Sequence, residues 1–494
     1  MEKDAPGSPP GGRRSRLPGD GGRPLERIDG VSVAIVGLGA SGRAAARLAL
    51  ERGGEVYVTD LKVDAETAAA GDELQSLGAR VELGDHRLER LVGADTVVVS
   101  PGIPPDAPVL RGLGARGVRW ISEPEFAFRF FTGPLIAVTG TNGKTTTAAL
   151  TAHLLEEAGQ RVGLGGNIGA GLGPAASELA RMDPAPDRYV VEASSFQLAD
   201  VEWFRPDVGV VTNLAPDHLD RYPDVDAYYA DKARLFDNAT SRSHWVLNGD
   251  DPAVRALPGD APGERYLFSL EEQGGAGKEG PVGARGRRSA YVRSGTLTLR
   301  PPPGEEEEPL IRRGELSLLG SHNVANALAA ALSARLSGAG PGALARGLGS
   351  FRPLPHRLEP VAERGGVLWV NDSKATNVSA AISAVRSLDR PLVLLLGGKD
   401  KGEDFGRLRS VLEARVRRVV AYGEARERIA DALEEETDVI RADGSFEDAV
   451  AAAAAAARRG DAILLAPACS SFDMFESYEA RGRRFSELAG EEGS

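Results

Sequence analysis

At 494 residues the chain is too long for one compact core, and its 42% apolar and 26% charged content are those of an ordinary globular protein of about three domains. A net charge of −12 argues against bulk binding to nucleic acid or to an anionic membrane, so any anionic ligand must be held by local groups. Cys469 is the only cysteine, which excludes an intramolecular disulfide; with no secretion signal and no apolar run of about 18 residues, the expected location is the cytoplasm.

Residues 1–28, rich in Gly, Pro and Arg, read as a disordered tail outside the fold. A first unit, 29–123, opens with a Val/Ile-rich strand at Val31–Val36. The turn Gly37-Leu38-Gly39-Ala40-Ser41-Gly42 follows, then a helix to about Arg52 and a strand at Val56–Thr59 that ends in Asp60. Strand, glycine turn, helix, strand and acid open a nucleotide-binding α/β sheet, and the pattern admits NAD as readily as another nucleotide. A further strand, Thr96–Val99, leads into Ser100-Pro101-Gly102.

The second unit, 124–355, begins with a short buried-type strand at Leu135–Val138 and a helix from about Thr145. Between them, Gly140-Thr141-Asn142-Gly143-Lys144-Thr145 supplies what a triphosphate needs. Backbone N–H groups at a glycine turn and a helix N-terminus face the anion, Lys144 adds a fixed cation, and the Thr145 hydroxyl can ligate Mg²⁺. Val138 stands where the general phosphate loop has its first glycine, so this loop is a shorter variant. Strands at Tyr189–Val191 and Val208–Val211 each end in polar residues. Glu192, after the first, is a candidate Mg²⁺ ligand beside a triphosphate, or in isolation a solvated side chain. Residues 271–308 turn to Gly, Arg, Pro and four Glu, which suggests solvated loops and a hairpin near Tyr291–Leu299.

The third unit, 356–494, alternates strands at Val367–Val370, Leu392–Leu396, Arg418–Tyr422 and Ala462–Leu465 with helical segments. The alanine run Ala451–Ala457 is a strong helix former, closed by Arg458, Arg459 and Gly460 as a C-terminal cap. The expected architecture is therefore α/β in three domains: a Rossmann-like first, a phosphate-loop central domain with a mainly parallel sheet, and a Rossmann-like third.

The phosphate loop resembles that of the Mur ligases and folylpolyglutamate synthetases, which activate a carboxylate with ATP and join it to an amine. The resemblance runs from about Val31 to Phe485, and several stretches within it resemble Mur ligase elements. They are Glu192-Ala193-Ser194-Ser195-Phe196-Gln197-Leu198, Asn213 to Asp220 with His218, His322-Asn323-Val324-Ala325-Asn326, His356-Arg357-Leu358-Glu359 and Asp372-Ser373-Lys374-Ala375-Thr376-Asn377.

The resemblance implies roles residue by residue. ATP is held by the loop Gly140–Thr146 (Gly140, Thr141, Asn142, Gly143, Lys144, Thr145, Thr146), with Asn323 and Asn326 at adenine, Arg357 and Lys374 at the phosphates and Asp372 on the ribose. A helix cap is the simpler role for Asn323. Two Mg²⁺ ions are held through Thr145, Glu192, His218 and a carbamoylated Lys232; a plain surface lysine is the competing reading of Lys232. Lys144, His218, Lys232 and Arg357 carry catalysis. Ser41, Asp60, Ser100, Gly102 and Asn167 meet a UDP-linked substrate, a reading favoured over NAD because no hydride-transfer site is visible.

Gly397-Gly398-Lys399-Asp400-Lys401-Gly402 resembles the glutamate-binding loop, with Lys399-Asp400 where Asp-Gly is commoner; Ala468-Cys469-Ser470-Ser471 resembles a second glutamate element. Thr376, Lys401, Ser471 and Tyr478 then meet glutamate, Tyr478 replacing the usual Phe, with a cation and hydroxyls for a dicarboxylate. The reaction implied is ATP-dependent addition of D-glutamate to UDP-MurNAc-L-alanine through an acyl phosphate, in peptidoglycan precursor synthesis, by a monomer with a third domain that closes on its substrates. An L-glutamate-adding relative or a folylpolyglutamate-synthetase-like ligase is the alternative.

Overall fold

The computed structural model describes residues 17, 24–169, 172–218, 221–270, 287–300 and 306–490. The expected tail before residue 24 (Leu17 apart), most of the expected loops at 271–308, and Leu219-Asp220 of the His218 motif lie outside the described residues. Residues 24–28 belong to the fold rather than to the tail. Ile28 is buried and its N–H donates to the Arg52 carbonyl, and the Leu25 N–H donates to Arg129. Two apolar side chains in a Gly/Arg-rich stretch are enough to anchor it.

Packing divides the chain into two compact units, residues 1–313 with 325–348, and 314–324 with 349–494. Among the described residues the first unit carries two sheets. One has β1 (Ser32–Val36), β2 (Glu55–Asp60), β3 (Arg80–Leu83), β4 (Thr96–Val99) and β5 (Ile121–Ser122), all parallel, in the order β3-β2-β1-β4-β5. The order reverses between β1 and β4, so the loops after Val36 and Val99 meet at the point where such sheets bind ligands.

The second sheet contains β6 (Leu135–Thr139), β7 (Val162–Gly166), β8 (Arg188–Glu192), β9 (Val208–Val211), β10 (His244–Asn248), β11 (Glu264–Ser269), β12 (Arg287–Arg293), β13 (Thr296–Leu299) and β14 (Glu308–Arg312). Its order is β14-β13-β12-β11-β10-β9-β6-β8-β7, antiparallel only at β12-β13 and β13-β14. All five residues of β6 are buried, as a central parallel strand covered on both faces must be. The loops after β6, β8 and β9 therefore open side by side. The expected hairpin is β12-β13. Tyr291, Leu297 and Leu299 are buried in it, so it extends the main sheet rather than standing in solvent.

The second unit has one sheet of β15 (Glu359–Arg364), β16 (Val367–Asn371), β17 (Leu392–Gly397), β18 (Val416–Tyr422), β19 (Asp438–Arg441) and β20 (Ala462–Ala468). The order is β15-β16-β20-β17-β18-β19, with only β15 antiparallel. The alanine-rich helix runs Phe446–Ala456 and starts in a Ser445/Asp448 capping box. It ends earlier than expected: Ala457 is already extended, and Gly460 turns back so that its N–H donates to Gly366. The arginines and glycine thus build the turn into β20, not a cap.

Candidate active site

The phosphate loop joins β6 to the helix Lys144–Glu157. Gly140 adopts φ +137°, and a Cβ there would lie 2.1 Å from Thr212 Oγ1. Gly143 adopts φ +81° with Asn326 Oδ1 pressed against it, so both glycines are required by backbone shape and close approach. The strand-end residues of β9 hold the loop from outside. Thr212 Oγ1 donates to the Asn142 carbonyl at 2.6 Å, and Asn213 Oδ1 accepts from the Asn142 N–H at 2.9 Å. Thr141 Oγ1 donates to the Ala215 carbonyl and accepts from its N–H. The loop is therefore preorganised by residues of the His218 motif. Thr146 is buried on the first helical turn.

Glu192, at the end of β8, is buried and accepts from Thr145 Oγ1 at 2.7 Å. The adjoining Ser194 and Gln197 form a capping box that fixes the short helix Ser195–Leu198. Glu192 is not a solvated acid. A hydroxyl and a carboxylate oxygen beside a phosphate loop are the hard donors Mg²⁺ takes when phosphate oxygens and waters complete its shell, so this pair fits that ion. Among the described residues no group of three or more His, Cys, Asp or Glu gathers for a metal.

Lys232 is no surface lysine: it is 1% exposed. Its Nζ donates to the Gly140 carbonyl at 2.8 Å and lies 4.5 Å from the centre of the Tyr228 ring. Burial, with the like charge of Lys144, holds its pKa well below the usual lysine value. Lys144 Nζ donates to the Thr141 carbonyl at 2.9 Å. His218 has φ +55°, an uncommon conformation for a non-glycine residue, and packs its ring edge-on against Phe196. Lys144, Lys232 and His218 line one cleft of about 330 Å³ together with Gly102, Asn167 and Ser195. Residues expected at the UDP-linked substrate and at the triphosphate thus face the same space.

In the first sheet, Gly37 has φ +96°, and a Cβ on Gly42 would lie 1.9 Å from the Gly37 carbonyl oxygen. Ser100 Oγ donates to that carbonyl at 3.0 Å, and Asp60 accepts the N–H groups of Leu38 and Lys62. Asp60 and Ser100 therefore shape the glycine turn itself. Ser41 is half-buried at the start of the helix Ala40–Glu51, and Gly102 and Asn167 are exposed.

In the second unit, Arg357 sits between two strained residues, His356 (φ +62°) and Leu358 (φ +43°). Asp372 accepts the Leu358 N–H at 3.1 Å; burial raises its carboxyl to about 7, against the opposing pull of Arg357. Lys374 Nζ lies 3.9 Å from the Tyr478 ring centre, a cation–π contact that links the expected phosphate and glutamate residues. Lys401 Nζ donates to the Thr376 carbonyl at 3.0 Å, bringing two expected glutamate residues together. Asp400 accepts the Gly402 N–H and pairs with Arg428, and these contacts hold the turn of this loop. Ser471 is buried after β20. Asn323 is not the cap of the helix Ser321–Leu336; it lies inside the first turn and donates to the Leu319 carbonyl at 2.8 Å.

One residue that sequence reasoning missed is Arg481, fully buried in the helix Tyr478–Gly490 and bonded to Ser373, Cys469 and Ser470. An arginine on a helix with many charged residues reads as solvated, and nothing in its spacing says otherwise.

Parallel sheets, a triphosphate loop and its Thr145–Glu192 oxygen pair define a phosphate-loop α/β protein. The chain belongs to the Mur ligase family. Family models match along it in order: the MurD-like N-terminal domain at 31–122, the middle domain at 138–334, and the glutamate ligase domain at 356–469. It is 41% identical over 456 residues to UDP-N-acetylmuramoylalanine–D-glutamate ligase of Geotalea uraniireducens, covering 92% of this chain and 96% of that one. It is 42% identical to the protein of the same name from Anaeromyxobacter dehalogenans, covering 94% and 98%. Among solved structures, a pseudomurein peptide ligase type C from Methanothermus fervidus matches with TM-score 0.57 at 21% identity, covering 92% of this chain and 99% of that one. The MurF ligase of Thermotoga maritima in complex with ADP matches at 0.54 and 18%, covering 97% of each. These two likenesses show the fold.

Proposed function

We propose that the chain joins D-glutamate to the terminal carboxylate of UDP-MurNAc-L-alanine at the expense of ATP, in peptidoglycan precursor synthesis. The observation that carries this reading is the cleft in which Lys144, Lys232 and His218 face Gly102 and Asn167. Relatives that match over more than nine-tenths of the chain, 92% and 94%, carry the name of that reaction.

The UDP-linked substrate is assigned to 29–123, with Ser41, Asp60, Ser100, Gly102 and Asn167; ATP to 124–355, with the loop Gly140–Thr146 and Asn326; glutamate to 356–494, with Thr376, Lys401, Ser471 and Tyr478. Asn323, Arg357, Asp372 and Lys374 complete the nucleotide contacts. Thr145 and Glu192 would hold one Mg²⁺, and His218 with carbamoylated Lys232 a second. Bound there, the ions offset charge on the transferring phosphoryl group.

The substrate carboxylate attacks the γ-phosphorus, ADP leaves, and an acyl phosphate forms. The neutral amine of glutamate attacks its carbonyl carbon, phosphate departs with the carboxylate oxygen, and the amide nitrogen loses a proton. Lys144 and Arg357 bind phosphate oxygens throughout. A buried, neutral Lys232 amine is the form that adds to CO₂: an N–C bond forms, a proton leaves, and a carbamate results. The same reading makes the protein a cytoplasmic monomer with no nucleic-acid or membrane partner.

The test is isotope transfer. Substrate labelled with ¹⁸O in both carboxylate oxygens should release phosphate carrying one ¹⁸O per turnover. Unlabelled phosphate would rule out the acyl phosphate.

A further inference from the structure

We propose that Arg481 is a positioning residue for the glutamate subsite, holding the segments that bear Lys401 and Ser471 in one rigid frame. The proposal rests on the function argued above. Arg481 is fully buried, and among the described residues no carboxylate pairs with it. Five guanidinium hydrogen bonds reach oxygens just after or at the ends of β16, β20 and β17. Nε donates to Ser373 Oγ at 3.0 Å, Nη2 to the Ser373 and Cys469 carbonyls at 3.0 and 3.2 Å, and Nη1 to the Ser470 carbonyl at 3.3 Å and that of Gly397 at 3.5 Å.

Each acceptor adjoins an expected ligand contact. Ser373 lies between Asp372 and Lys374, Gly397 opens the loop to Lys401, and Ser470 precedes Ser471. The segments also brace one another. The Lys399 N–H donates to the Ser470 carbonyl at 2.9 Å, and a Cβ on Gly398 would lie 2.2 Å from that same oxygen.

Burying a cation without a counter-charge is costly, and a hydrophobic side chain of similar volume would avoid the cost. Only the planar guanidinium fork fixes donors in three directions at once; a lysine ammonium cannot span them. A buried positive charge beneath a dicarboxylate subsite also favours the ligand's negative charge. The geometry thus assigns Arg481 two linked tasks: it sets the spacing of Lys401 and Ser471, and it supplies field for a carboxylate it does not touch.

The test uses the full chain as wild type, R481K and S373A, with KM for glutamate, ATP and the UDP-linked acceptor read from phosphate release, and melting temperature alongside. Absence of turnover by wild type would sink the function itself and is read before any variant. R481K is expected to raise the glutamate KM about tenfold, the factor that ~1.4 kcal/mol carries, while the acceptor KM stays within about twofold. S373A, which removes the Nε acceptor together with the hydroxyl's own bond to the Tyr478 carbonyl, should move the glutamate KM in the same direction by a smaller factor. Equal rises in the glutamate and acceptor KM values, or activity that falls only as folded protein falls, would overturn the proposal. Should R481K not fold, S373A decides alone: an unchanged glutamate KM overturns it.

Discussion

Lys232 and Glu192 show how far a single side chain's role depends on its surroundings. A lysine on a helix is normally solvated, yet Lys232 is buried with its amine against the Gly140 carbonyl and Tyr228. Burial and the like charge of Lys144 lower the pKa of Lys232 well below the usual lysine value, which favours the amine form that the proposed carbamate needs. Lys232→Ala should therefore abolish turnover, and short carboxylates such as formate or acetate should partly restore it by taking the vacated oxygen positions; phosphate release measures both, and failure of rescue would count against the carbamate. Lys144→Met should lower kcat/KM at least about 100-fold, because one preorganised charge at a transferring phosphoryl group is worth roughly 3 kcal/mol.

A second residue-scale consequence concerns pH. Glu123 is fully buried; burial raises its carboxyl to about 7 from an ordinary 4.5, against the pull of the Ser177 N–H it accepts. A raised folded-state pKa contributes stability that is complete below the unfolded value and is lost as pH rises through 7. Glu123→Gln should thus gain on wild type by about 3 kcal/mol in denaturant unfolding at pH 8.5, with a much smaller gap at pH 4.5. An equal gap at both pH values would refute the titration.

At the scale of elements, the loops at strand ends do the positioning, and the strands make them meet. The phosphate loop after β6 is shaped by Thr212 and Asn213 after β9, and Glu192, which accepts from Thr145, ends β8. Gly140→Ala adds a Cβ 2.1 Å from Thr212 Oγ1 at φ +137°, so it should displace the loop at a cost of order 1–3 kcal/mol and raise the KM for ATP without touching that for glutamate. Steady-state kinetics with each substrate varied would check it.

Elements differed in how legible they were. The mainly apolar runs of β1, β6 and β17 and the glycine turns after them could be read directly, because burial on both faces leaves polar residues only at a strand's end, as Ser32 in β1 and Thr139 in β6. β7, Val162–Gly166, has three glycines in five residues and carries no strand signal; Gly165 approaches the Pro174 carbonyl so closely that only glycine fits. β3 and β19 are short, only partly buried and charged, so tertiary pairing alone defines them.

For the molecule as a whole, motifs separated by 100 residues or more could be named in the sequence, but their meeting could not. Gly102, Asn167, Lys144 and His218, carried by the segments after β4, β7, β6 and β9, line one cleft with Lys232 of the helix Val225–Ala233. Arg481 escaped notice for the complementary reason: apart from the Ser373 hydroxyl, the acceptors of its guanidinium are backbone carbonyls, which have no sequence signature. The N-terminal boundary moved because Leu25 and Ile28 find partners only in the folded first unit.

The central claim is the joining of a particular amino acid to a particular acceptor, and its most direct test is phosphate release from ATP and Mg²⁺ with UDP-MurNAc-L-alanine and either enantiomer of glutamate. Release is expected to need the acceptor and D-glutamate together, with L-glutamate inert. Release with L-glutamate alone, or with neither enantiomer, would contradict it.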